Sequence, residues 1–271
     1  MIKSLRMKNF KCFESETIHC KALTLLSGLN GVGKSSVLQA LLLLRQSYQK
    51  GSINNLVLNA DLTHLGTAKD ILYEFAANEQ IGFELSLDNN KSGSWDFRYD
   101  KQADVLKLKE NNSNTKIDKS VFQLSLFKNE FQYLQAERLG PRSSFEISDF
   151  RVRQKQQLGT KGEYTAHFLS IFGKELEVSS DLKHKKATSS KLRDQVEAWM
   201  SEISPGVRIH LQEYADMDLI DLRYSFKQGK VSSKGYRSTH VGFGITYTLP
   251  IITAILSAKP CSLLLLENPE A

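Results

Sequence analysis

Ser27-Gly28-Leu29-Asn30-Gly31-Val32-Gly33-Lys34-Ser35-Ser36 spells G-x-x-x-x-G-K-S from Gly28 to Ser35, the phosphate-binding P-loop pattern. The run before it, Ala22-Leu23-Thr24-Leu25-Leu26, reads as a short buried strand, and Val37 to Arg45 after it reads as a buried helix. Strand, loop and helix in that order are the context the pattern requires.

The residue types follow from the charge of a triphosphate. Glycines at 28, 31 and 33 let consecutive backbone N–H groups turn inward and approach phosphate oxygens closely. A helix opening at Lys34 adds its positive end and its unsatisfied N–H groups. Lys34 is placed to reach the β- and γ-phosphates and the Ser35 hydroxyl to sit on Mg²⁺, with Asn30 and Ser36 in the same cradle.

Composition narrows the class around this motif. The 271 residues allow one large domain or two modest ones, and 41% hydrophobic content supports a sizeable core. A net charge of +6 permits contact with DNA without requiring it. Cys12, Cys20 and Cys261 are odd in number and lack C-x-x-C spacing, which argues against a structural zinc site. They read as free, mostly buried thiols of a reducing cytoplasm. The six histidines form no H-x-x-x-H pair and read as surface or packing residues. The N-terminus does not resemble a signal peptide. The longest apolar runs, Val37 to Leu44 and Tyr247 to Leu256, are too short to span a bilayer, so a cytoplasmic protein without a membrane partner is expected.

Outward from the loop, Ile2 to Phe13 reads as a strand ending in a turn at Asn9 to Cys12, with a second strand from Thr17 to Cys20. Lys11 and Phe13 lie either near an adenine or at a sheet edge covering the core. Past a turn at Gly51 to Asn55, Asp70 to Tyr73 reads as a helical turn. From residue 81 the period becomes two: Ile81 to Leu87, Trp95 to Tyr99, Val105 to Lys109, Val121 to Leu126 and Phe131 to Leu134 alternate. Asn89 to Gly93 and Asn111 to Asn114 separate them, giving an antiparallel β-meander over 81–142, inserted after the P-loop helix. Gln135 to Arg142 closes it with a Gly-Pro break flanked by Arg138 and Arg142. That loop reads as a γ-phosphate or Mg²⁺ sensor, or as a junction of solvated charges.

Residues 151–204 read as a helical subdomain, with helices over Tyr164 to Phe172 and Leu192 to Ile203. Its lysines suit a solvated face better than a DNA contact. Strands return at Val207 to Leu211 and Leu219 to Phe226. Gly242-Phe243-Gly244 opens an apolar helix, Ile245 to Leu256, a second candidate anion site, with Pro250 placed in its first turns. Leu263-Leu264-Leu265-Leu266 then ends in Glu267, a buried parallel strand with an acid at its carboxyl end, where ligands of such sheets bind and a Mg²⁺-holding acid is expected.

Taken together, Asn9-Phe10-Lys11-Cys12-Phe13, the P-loop, Val241-Gly242-Phe243-Gly244 and Glu267-Asn268-Pro269-Glu270-Ala271 resemble the ABC-type ATPases of the RecF, SMC and OLD-like group. Bacterial AAA-family predicted ATPases are the closest match, and Tyr133 to Arg142 fits that subgroup. The resemblance implies an α/β fold, with an ABC-ATPase-like P-loop sheet, over a single head of residues 1–271. The P-loop segment would be 1–50, and 205–271 would carry the signature helix and the acid. It implies ATP and Mg²⁺ as cofactors and a homodimer sandwiching two ATP molecules. Gly242 and Gly244 would face the γ-phosphate held by the other copy. Glu267 would be the Mg²⁺-linked acid and Gln135 the Q-loop glutamine.

Two departures stand out. Asn268 occupies the position where such ATPases carry a catalytic glutamate, and an amide is not a strong base, so Glu270 becomes the nearest water-orienting carboxylate. The pattern also stops before the family's histidine switch loop, as in a C-terminally incomplete head. The expected function is an ATP-dependent dimerising ATPase switch in DNA maintenance or anti-phage defence, driving an effector protein. The alternative is a nucleotide-sensing scaffold with little or no hydrolysis. A transporter subunit and a small-molecule kinase fit less well.

Overall fold

Alternation of apolar residues makes the first strand, β1 (Ile2–Phe10), bury Ile2, Leu5, Met7 and Phe10. In the computed structural model, which describes residues 1–88, 91–109 and 117–270, the chain divides into two units, 1–128 and 129–271. In the first unit, β1 turns tightly through Lys11 and Cys12 into β2 (Phe13–His19), with Phe10 opposite Phe13. Asn9 and Lys11 both take positive φ, 48° and 53°, to make that turn. The second strand therefore starts earlier than the sequence suggests.

The segment before the P-loop departs from expectation. Ala22 to Leu26 is not a strand, and Leu23 and Leu25 are 87% and 79% exposed. No described strand pairs with it. A local turn takes its place, with the Lys21 N–H donating to Thr24 Oγ1 at 3.0 Å. An apolar run without a ladder partner has no reason to stay extended and buried.

The helix after the loop forms as read: α1 (Lys34–Gln49) buries every residue from Ala40 to Ser47. The apolar part of that run, Ala40 to Leu44, suits a core helix. Its one buried cation, Arg45, donates to the carbonyls of Leu126 and Lys128, and burial pushes its pKa down to about 10. Two short elements follow, β3 (Asn55–Val57) and α2 (Ala68–Ile71), the latter closed by a Thr67–Asp70 capping box.

The alternating region, which follows the P-loop helix in the chain, adds strands to the sheet of β1 and β2. β4 (Gln80–Leu87) pairs antiparallel with β1, and β5 (Ser92–Arg98) pairs with β4, giving the strand order β2-β1-β4-β5. The buried faces of Phe10, Phe83 and Phe97 meet as edge-on and tilted rings, which welds the hairpin to the meander. β6 (Val105–Lys107) pairs with β3. Of the first separator, Ser92 and Gly93 belong to β5, while Asn89 and Asn90, like the separator Asn111 to Asn114, lie outside the described residues. Val121 to Leu126 is not a strand but parts of two 3-10 turns, Lys119–Gln123 and Ser125–Phe127. Asp118 caps the first by accepting from Ser120 N at 2.8 Å, and Phe122 and Phe127 pack on Tyr48 of α1. Helix packing replaces the ladder there.

The second unit opens with β7 (Phe131–Leu134), which leaves the meander and pairs in parallel with the last strand. β8 (Phe145–Glu146), β9 (Val207–Tyr214), β11 (Val231–Ser232) and β12 (Tyr236–Arg237) all pair antiparallel with β10 (Leu219–Gln228). Against them lie α3 (Thr165–Phe172), α4 (Leu192–Ile203) and α5 (Phe243–Ser257). β13 (Leu263–Leu266) completes the unit beside β7, with Leu263 opposite Phe131 and Leu266 opposite Leu134.

Two smaller readings are corrected here. Pro250 is not in the opening turns of α5 but in its interior. Its ring sits against Gly162, where an added Cβ would come within 2.6 Å of it. Cys12 and Cys261 are exposed and Cys20 is half-buried, because they fall in turns and at a strand end rather than on core faces. Among the described residues, no helix is long and apolar enough to cross a membrane.

Candidate nucleotide site

The P-loop residues lie together in the first unit. Gly28, Gly31 and Gly33 take φ of 149°, 84° and 97°, conformations that favour glycine. Gly33 is the N-cap of α1, and the β1–β2 turn closes on it. A Cβ there would stand 2.5 Å from Cys12 Sγ and 2.6 Å from Phe13 Cζ. A Cβ on Gly31, by contrast, would meet nothing within 4 Å. Asn30, Gly31 and Ser35 are exposed, and Gly33, Lys34 and Ser36 are half-buried.

Lys34 is the first residue of α1, and its Nζ donates to the carbonyls of Gly28 at 2.6 Å and Leu29 at 2.7 Å. The ammonium therefore lies folded over its own loop. No acidic residue occupies the first turn of α1, so its positive end is not compensated from within the helix. Lys11 turns onto the same helix, donating to Gln39 Oε1 at 2.7 Å, and burial lowers its pKa.

The remaining candidates lie in the second unit, around the tip of β13. The parallel ladder runs one step past the strand, with Glu267 N donating to Leu134 O at 2.9 Å. This places the Glu267 side chain at the carboxyl end, as the leucine run implies. Its Oε2 accepts from the Tyr133 hydroxyl at 3.1 Å and from Ala136 N at 3.3 Å. Burial, then the nearby Glu267 charge, pushes the Tyr133 hydroxyl well above its usual pKa, so it stays a donor.

Arg138 is 4% exposed and crosses the same turn. Its guanidinium donates to Glu267 O and Asn268 O, each at 2.8 Å, and lies 4.3 Å from the centre of the Tyr247 ring. Burial lowers its pKa, opposed by Tyr247 and the Glu270 charge. The Tyr247 hydroxyl accepts from Arg138 N at 3.1 Å and donates to Ala136 O. Arg138 is therefore not a solvated charge, whereas Arg142 is exposed. Gln135 folds onto its own loop, with Nε2 donating to Glu137 O at 3.2 Å.

Gly242 is the N-cap of α5 and Gly244 lies in its first turn, and a Cβ on either would meet nothing within 4 Å. The chain's own packing does not demand glycine there. Phe243 is 56% exposed and stacks on Tyr247. Asn268 takes a positive φ of 42°, turning the chain sharply towards Glu270, which is exposed. Ala271 lies outside the described residues.

Three contributors escape a reading by motif: Tyr133, Arg138 and Tyr247. Tyr133 hides in an alternating strand, and Arg138 in a loop that reads equally as a γ-phosphate or Mg²⁺ sensor and as a junction of solvated charges. Tyr247 carried the one usable signal, four residues after Phe243 on a glycine-started helix, which puts both rings on one face. A family model described as AAA ATPase domain matches residues 1–271. No curated protein matches.

Proposed function

The chain belongs to the AAA ATPase domain family, and we propose that it binds ATP with Mg²⁺ and works as an ABC-type switch of the RecF, SMC and OLD-like kind. Two copies would close around two ATP molecules, and hydrolysis would release them. The observation that carries this is the loop itself: three glycines at positive φ, an uncompensated helix start and the Lys34 ammonium resting on two carbonyls. A triphosphate offers that ammonium stronger, charged acceptors than Gly28 O and Leu29 O.

The donors suit a hard cation. In the second unit, both hydrogen bonds to the Glu267 carboxylate fall on Oε2, which leaves Oε1 available to a cation. In the first unit, taken by itself, Ser35 is exposed. When bound, Mg²⁺ would neutralise charge developing on the transferred phosphoryl group. Lys34→Ala should weaken MgATP binding roughly 10-fold to 100-fold, the worth of a charged hydrogen bond. Unchanged affinity in a calorimetric titration would defeat the proposal.

A second reading keeps nucleotide binding and drops turnover. It rests on Asn268, an amide where a general base is expected. Steady-state phosphate release separates the two, with Glu270→Gln as the control. Light scattering with and without ATP tests the homodimer. DNA maintenance or anti-phage defence, with an effector protein as partner and a cytoplasmic location, is the setting that the resemblance favours.

A further inference from the structure

Glu267 and Asn268 hang on a side chain that no nucleotide-binding motif contains. Two of their backbone carbonyls converge on one guanidinium, that of Arg138, at 2.8 Å each. The same guanidinium lies over the Tyr247 ring of α5, and the Tyr247 hydroxyl bridges Ala136 O and Arg138 N. Three separate stretches, 135–138 after β7, 267–268 after β13 and the second turn of α5, therefore meet on one buried cation.

We propose that Arg138 is the positioning residue of the acid turn: it fixes the peptide planes of Glu267 and Asn268, and so the direction in which the Glu267 carboxylate presents its free oxygen to a divalent cation. Tyr247 is its second anchor and ties that direction to the glycine-opened start of α5. This rests on the reading of Glu267 as the metal-linked acid.

The physical case is one of geometry and charge. A guanidinium is a rigid planar fork, so two carbonyls on two of its nitrogens fix both position and twist of a turn. Asn268 turns the chain at φ 42°, a left-handed conformation that asparagine adopts more readily than most residues, and Arg138 holds the carbonyl that this turn presents. Tyr133 and Ala136 N hold one oxygen of the carboxylate, and Arg138 holds the backbone behind it. Arg138 touches neither nucleotide nor metal in this scheme. Residues that orient a metal-binding carboxylate typically change metal affinity when altered, while leaving the other ligand contacts intact.

The test measures binding of a fluorescent methylanthraniloyl-ATP with excess Mg²⁺ and again in EDTA, for the full chain. The ratio of the two affinities is the Mg²⁺ increment. Arg138→Gln should reduce this increment roughly tenfold or more, with the affinity in EDTA unchanged. Arg138→Lys should restore part of it, since an ammonium keeps the charge and the donors but lacks the planar fork that fixes the twist of both carbonyls. If Arg138→Gln does not fold, Tyr247→Phe carries the test: it keeps the ring and removes only the bridging hydroxyl, so a smaller fall in the increment is expected. An unchanged increment in the folded variants overturns the proposal and leaves the nucleotide reading standing. So does an equal fall with and without Mg²⁺, because that marks a general loss of structure. A native chain that binds the probe in neither buffer overturns the nucleotide reading itself.

Discussion

The P-loop and the acid turn are built by opposite means. The loop from Gly28 to Ser35 is shaped by backbone: three glycines at positive φ, exposed side chains and one lysine lying on its own carbonyls. The turn at Glu267 is shaped by side chains: Arg138 and Tyr247 bond to its peptide groups and their neighbours, and Tyr133 holds the Glu267 carboxylate. A backbone cradle of this kind is completed by the anion that it holds. A side-chain clamp is complete already. The difference teaches where substitutions should act: at the loop through conformation, at the turn through lost hydrogen bonds.

Trp95 and Trp199 are the only tryptophans in the sequence, one in each unit, so the contrast can be followed by fluorescence in single-tryptophan variants. The largest effect is expected at Gly33. A methyl group there would collide with Cys12 Sγ and Phe13 Cζ and would sit at φ 97°. Gly33→Ala should strain the loop by about 1–3 kcal/mol, push it off the β1–β2 turn and weaken ATP binding even in EDTA. If affinity in EDTA stays at the native level, the loop is not held by backbone conformation as described.

At the clamp, Tyr133→Phe removes one donor to Glu267 Oε2. A loss of about 1 kcal/mol is expected, read as a lower urea midpoint by Trp199 fluorescence. An unchanged midpoint would remove Tyr133 from the side-chain clamp.

The smallest effect concerns His167. Burial lowers its pKa, and its Nδ1 accepts from Ser148 N at 3.2 Å, a bond that needs the neutral ring. The folded state therefore resists a proton that the unfolded chain takes up near its ordinary pKa of about 6.5. The contribution to stability is present above that value and fades as pH falls through it towards the lower folded pKa. The urea midpoint of the second unit should drop between about pH 7 and pH 5.5. His167→Asn, which keeps an acceptor but does not titrate, should flatten that drop. An identical slope in the variant would assign the effect to other groups.

Legibility in the sequence followed the length scale of each signal. Helix α4 and strand β13 have the bounds that their apolar spacing and the Glu267 boundary predict, and α1 starts at the lysine of the P-loop. Ala22 to Leu26 and Val121 to Leu126 look just as strand-like, yet neither pairs with a described strand. A short apolar run carries no label for its partner. The site divides in the same way. The places of Gly33 and Lys34 at the start of α1, and of Glu267 at the end of β13, were readable because neighbours in sequence set them. The contacts of Arg138 with Tyr247 and Glu267 were not, since they join residues more than a hundred positions apart.

The sequence by itself determined the chemistry on offer: a glycine-bent anion cradle with a lysine and a hydroxyl, and an acid at the end of a leucine strand. Local backbone preferences and side-chain spacing are enough to write those, because each depends only on residues next in line. Only the tertiary structure decided that β4 zips onto β1, that Phe131–Leu134 runs parallel to Leu263–Leu266, and that a buried arginine grips the acid's own backbone. Those outcomes depend on which distant surfaces bury each other. Burial energy is non-directional and area-based, so a one-dimensional pattern specifies that a residue is buried but not against what.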